Sequence, residues 1–162
     1  MKHAPLDRLL KLRRHREQKA LEALTIRQGA HRRAKQDAEQ AQTAVVQHAA
    51  DSKEREHALI AALMGRDIRQ AALQRLQDDL DIMAIEQSDL KKSAETAQKT
   101  LTQRATELQK ARKAYQDHHA DVEKLKSLHN AEIARVARHR LVIDETIEED
   151  QIGLAAQRSP VL

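Results

Sequence analysis

Hydrophobic residues recur along this chain at alternating steps of four and three, the spacing of a helix that buries one narrow seam. From Leu6 the series runs through Leu10, Arg13, Glu17, Ala20, Leu24, Arg27, His31, Ala34, Ala38, Ala41, Val45 and His48. It is leucine-rich at first and alanine-rich in the middle. Alanine lets a partner helix approach closely but buries little area. A second series starts at Leu76 and passes through Leu80, Met83, Gln87, Leu90, Ala94, Ala97, Leu101, Arg104, Leu108, Ala111, Tyr115, His118, Val122, Leu125, His129, Glu132, Val136, His139 and Ile143. Fourteen of its twenty positions are apolar, which sustains a heptad-like seam through most of the segment. Pairs outside the seam, such as Glu95 and Lys99, share a face at a supportive spacing and read as solvated surface.

Few residues can interrupt this pattern. No proline lies between Pro5 and Pro160, and the three glycines are Gly29, Gly65 and Gly153. Pro5 suits a first helical turn, where its missing N–H is not needed. Gly29 falls inside the first series and costs about 1 kcal/mol without ending a helix. Gly65, in Met64-Gly65-Arg66-Asp67, is the best breaker, with Asp67 available to cap a new helix. Ser88, in Gln87-Ser88-Asp89, marks a rival turn, and Asp78–Asp79 at the chain midpoint a third without a breaker residue. The Gly65 region predicts a helix over about 5–63, a turn over about 64–67 and a helix over about 67–150, roughly 90 and 125 Å long. The second helix then overhangs the first at the open end. Gly153 is a plausible C-cap, with residues 154–162 a flexible tail. The expected fold is all-α: a long antiparallel two-helix coiled-coil hairpin over 1–153, a rod rather than a globule.

Composition supports this. A third of the 162 residues are charged and 1% are aromatic, Tyr115 being the one aromatic side chain. Chains rich in Ala, Leu, Glu, Gln, Lys and Arg with helical periodicity read as coiled coil. Such a composition cannot wall a water-excluding pocket, so neither an enzyme nor a small-molecule substrate is expected. There is no cysteine, hence no disulfide framework and no thiolate metal site. The nine histidines contain no i,i+3 or i,i+4 pair, so no metal or other cofactor is expected. The start lacks a signal-peptide core, and the longest apolar run, Ala58 to Met64, is too short to span a bilayer. The expectation is a soluble, cytoplasmic protein.

Charge distinguishes the two ends. Residues 1–35 carry eleven Lys or Arg against Asp7, Glu17 and Glu22, while the remainder carries 18 basic and 22 acidic residues. Asp144, Glu145, Glu148, Glu149 and Asp150 form an acidic cluster, and Glu148, Glu149 and Asp150 fall in what the pattern makes the last helical turn, where the dipole disfavours acids. The basic start, with Arg8, Lys11, Arg13, Arg14, Arg16 and Lys19, fits an acidic protein surface. Without aromatic residues for stacking, single-stranded nucleic acid is a poor match, although a helical patch could hold duplex phosphates. Near the expected turn, Leu59, Ile60, Leu63 and Met64 belong to a run that is apolar all round. Either the returning chain, through Ile68, Ala72 and Leu73, covers it, or it stays exposed as a sticky tip. Tyr115 is expected to pack in the seam with its hydroxyl reaching solvent.

The opening Leu6-Asp7-Arg8-Leu9-Leu10-Lys11-Leu12-Arg13, the turn region around Met64–Leu76 and the long charged second helix resemble the YscO/FliJ family, the central-stalk proteins of type III secretion and flagellar export. The resemblance implies a non-enzymatic stalk between a hexameric export ATPase and the export gate, able to bind free secretion chaperones and reaching the inner membrane's cytoplasmic face only through protein partners. The open end, with Arg8, Lys11, Arg13, Arg14, Arg16 and Lys19 and the acidic Asp144 to Asp150, would enter the ATPase pore. The tip, with Leu59, Ile60, Leu63, Met64, Ile68 and Leu73, would face the gate. Two alternatives stand beside it: a homodimeric coiled-coil scaffold or chaperone-like protein, and a basic nucleic-acid-binding coiled coil.

Overall fold

In a computed structural model, residues 4–65 and 67–157 are described. Two α-helices account for nearly all of them, α1 over Ala4–Leu63 and α2 over Gln70–Gln157. They pack against each other antiparallel, as a two-helix hairpin. The turn falls in the Gly65 region, so Ser88 and Asp78–Asp79 lie inside α2.

Gly65 ends α1 as the glycine signal implies. Its φ of 84° is the left-handed conformation that an L side chain rarely tolerates. Met64 still donates to the Ile60 carbonyl at 3.1 Å, which completes the last turn. α2, however, starts at Gln70 rather than near 67. The Arg69 carbonyl accepts from Ala72 at 2.9 Å and from Leu73 at 3.3 Å, so Arg69, not Asp67, occupies the position where the helix begins. Residues 67–69 are non-helical and belong to the connection; Arg66 of the expected turn lies outside the described residues. The far end also differs from expectation. α2 passes through Gly153, which has no positive φ, and continues to Gln157. A helical glycine costs only about 1 kcal/mol, and nothing before Pro160 forces the chain out of a helix. Glu148, Glu149 and Asp150 therefore sit inside α2 rather than in its last turn. Positions 158–162 of the expected tail lie outside the described residues.

The chain divides into two compact units. One combines the described parts of Met1–Leu21 and Ala114–Leu162; the other is Glu22–Lys113. In the first, Leu10, Val122 and Leu125 form a buried cluster with Leu6 against it, and Val122 is the most enclosed at 1% exposure. In the second, Leu24, Ala34, Ala38, Met83 and Leu108 are buried. The buried positions follow the two sequence series, with alanines at mid-seam as the spacing requires.

Candidate partner-binding surfaces

Polar side chains bridge the helices where the seam series leaves apolar residues. In the unit holding the chain start, Arg13 donates to Asp121 at 2.8 Å. Nearby, His119 Nδ1 meets Glu17 Oε1 at 2.6 Å, and His129 Nε2 meets Asp7 Oδ1 at 2.8 Å. In the other unit Arg27 donates to Glu107 at 2.8 Å, and Arg104 donates to the same carboxylate at 2.9 Å. The Arg104 hydrogen bond holds the Glu107 carboxyl below the usual range, with the Arg27 charge adding to it against a desolvation that works the other way. His48 reaches Gln87 Oε1 through Nδ1 at 2.7 Å and Glu86 Oε2 through Nε2 at 3.0 Å.

The two residue numbers of every such cross-helix pair sum to between 134 and 136. In the first unit this register sets Ala4 opposite Asn130–Glu132. Among the described residues, α1 offers nothing to the face of α2 beyond that point.

Of the six basic residues singled out near the start, Arg8, Lys11, Arg14, Arg16 and Lys19 are exposed on α1. Arg13 is half-buried and engaged with Asp121, so it belongs to the seam. Arg14 lies close enough to Glu123 to help lower that carboxyl, after the larger effect of the Lys126 hydrogen bond. The basic surface thus consists of five side chains spread round the solvent side of α1, with Asp7 and Glu17 beside them already engaged with the opposite helix.

Around the turn the apolar residues separate by face. Leu59 and Leu63 are half-buried along the seam, with Ala72 and Leu76 across from them. Ile60 at 42% exposure, Met64 at 75%, Ile68 at 54% and Leu73 at 50% are open to solvent. The returning chain covers part of the run and leaves these four side chains exposed. A shallow groove lined by Arg55, Ala58, Leu59, Asp79, Ile82 and Met83 lies on the flank of the same unit.

Tyr115 is half-buried and stacks on His119, with ring centroids 5.9 Å apart. Among the described residues no group of three His, Asp or Glu side chains is placed to hold a metal ion, and no helix is long and apolar enough to cross a membrane. Sequence reasoning put Arg13, Arg27, His48 and His129 on the seam series but did not find their cross-helix partners. The signal was available as charged or polar residues on the seam whose positions sum to a constant, once the turn is fixed.

The fold is similar to that of the type III secretion protein YscO from Vibrio parahaemolyticus. The TM-score is 0.76 at 21% identity, over 92% of this chain and 94% of that one. At that identity the likeness establishes the fold. No family model and no curated protein matches the chain.

Proposed function

We propose that this chain is a non-enzymatic stalk of a type III secretion export apparatus, coupling a hexameric ATPase to the export gate. The observation that carries the reading is a two-helix hairpin shared over nearly the full length of a secretion protein. The surfaces are consistent with it. Arg8, Lys11, Arg14, Arg16 and Lys19 surround the solvent side of the start of α1 with positive charge suited to an acidic protein cavity, and charge of this kind steers association. Ile60, Met64, Ile68 and Leu73 offer apolar contacts for a gate protein at the turn. The exposed surface of the helices is where free secretion chaperones would bind. A protein of this kind works in the cytoplasm and meets the inner membrane through its partners.

The test is affinity capture of the export ATPase from the same host, comparing the native chain with a variant carrying Gln at positions 8, 11, 14, 16 and 19. Arg13 is left in place because it holds the seam. The native chain should retain the ATPase, and the variant should lose most of that retention. Equal capture by both would overturn the assignment of the basic surface. Retention on duplex DNA with no capture of the ATPase would support the nucleic-acid alternative.

A further inference from the structure

The seam-bearing face of α2 continues past the point opposite Ala4, where α1 begins. Val136, Ile143, Ile147 and Leu154 follow at spacings of seven, four and seven. At 100° per residue they lie within about 20° of one line along the helix, continuous with Val122 and Leu125. Val136 is half-buried; Ile143 at 43% exposure, Ile147 at 48% and Leu154 at 62% are open, where Val122 is at 1%. Arg140 and Asp150 complete the alternation of four and three, on opposite sides of the line and within about 40° of it.

This arrangement is symmetric. Val136 and Leu154 are equidistant from Glu145, as are Ile143 and Ile147, and as are Arg140 and Asp150. Two copies laid antiparallel about that point would match Val136 with Leu154, Ile143 with Ile147 and Arg140 with Asp150, every match occurring twice. That is the isologous contact a twofold axis demands. Charge selects the direction. On the seam itself Arg140 precedes the midpoint and Asp150 follows it, while Arg135 is held by Glu132 of its own helix. Antiparallel copies set Arg140 against Asp150, whereas parallel copies would stack arginine on arginine and aspartate on aspartate. A polar residue on a seam specifies register and orientation in this way.

We propose that the chain self-associates through residues 136–154 of α2, which pair antiparallel with the same segment of a second copy. Six seam layers make a small interface, so the dimer forms and dissociates with concentration. The inference goes beyond the stalk reading and does not depend on it.

Sedimentation equilibrium on the full chain tests it. The native mass should rise with concentration from 18.4 kDa towards twice that value. Arg140→Glu and Asp150→Arg should each weaken self-association at least about tenfold, because each puts like charges on the seam. An equal mixture of the two variants should associate at least as well as the native chain, since each then supplies the charge the other lacks. Ile143→Asp should abolish the dimer. Leu141→Asp, two residues away and so about 160° round the helix, should not. All four positions are exposed in the single chain, so helicity by circular dichroism should be unchanged and the mass change is not an unfolding effect. A native chain that stays monomeric at every concentration would overturn the proposal. So would single charge variants that associate like the native chain, a mixture that fails to recover, or equal loss from Leu141→Asp and Ile143→Asp. ATPase capture is a separate readout, so either idea can fail without the other.

Discussion

His48 occupies a seam position where leucine would be ordinary, and it is held there by two acceptors. Gln87 Oε1 lies at one ring nitrogen and Glu86 Oε2 at the other. Ser52 Oγ also approaches Nδ1, at 3.3 Å, and the protonated ring, with an N–H on each nitrogen, can donate to both Gln87 and Glu86. The Glu86 hydrogen bond, followed by that of Gln87, accordingly raises the His48 pKa above its ordinary value, against burial and the nearby Arg55 charge. Because the folded value is the higher one, the stabilisation is complete below the unfolded pKa of about 6.5 and is lost as pH rises through the folded value. The thermal midpoint should therefore fall across that window. His48→Gln, which cannot titrate, should show a shallower fall when the two proteins are melted side by side; identical profiles would refute this role. Seam position has an equally local consequence. Leu101 is half-buried and Gln103 exposed, so Leu101→Asp should sharply lower helicity by circular dichroism and Gln103→Asp should not. Equal spectra would contradict the register. These apolar seam positions were legible from spacing alone. The ion pairs were less so, because an arginine on a seam looks the same whether it points to solvent or crosses to a carboxylate that only the antiparallel register identifies.

The three glycines show what governs the helices. Gly65 is demanded by a left-handed φ, whereas Gly29 and Gly153 stand in ordinary helix, and an added Cβ meets nothing within 4 Å at any of them. Backbone conformation alone then decides the outcome of substitution. Gly29→Ala should stabilise the chain by about 1 kcal/mol in denaturant unfolding. Gly65→Ala should destabilise it by roughly 1–2 kcal/mol, the cost of placing an L side chain in that region. The same sign for both would refute the account of the turn. Gly65, in Met64-Gly65-Arg66-Asp67, was readable as the turn. The start of α2 was not, because the residue that begins it, Arg69, is no recognised N-cap and acts through its backbone carbonyl. Gly153 looked like a stop but carries no conformational demand, and the helix passes through it.

For the whole molecule, composition and periodicity pointed to a function expressed through surfaces, and the helices leave three of them: a basic surface early in α1, a group of exposed apolar side chains at the turn and an apolar stripe late in α2. The first two were visible in the sequence as residue types, although Arg13, counted in both the seam series and the basic group, proves to belong to the seam alone. The third was legible in part: an overhang of the second helix was expected, but Ile143 read as one more seam residue until the register set Ala4 opposite Asn130–Glu132. Partner binding is the decisive property of the proposed secretion role. The most direct measurement is the stoichiometry of the complex between this chain and the hexameric export ATPase of its host, determined by sedimentation or native mass spectrometry. A stalk predicts a single chain bound per ATPase ring, weakened when Arg8, Lys11, Arg14, Arg16 and Lys19 are neutralised. No complex, or one chain on every ATPase subunit, would contradict it.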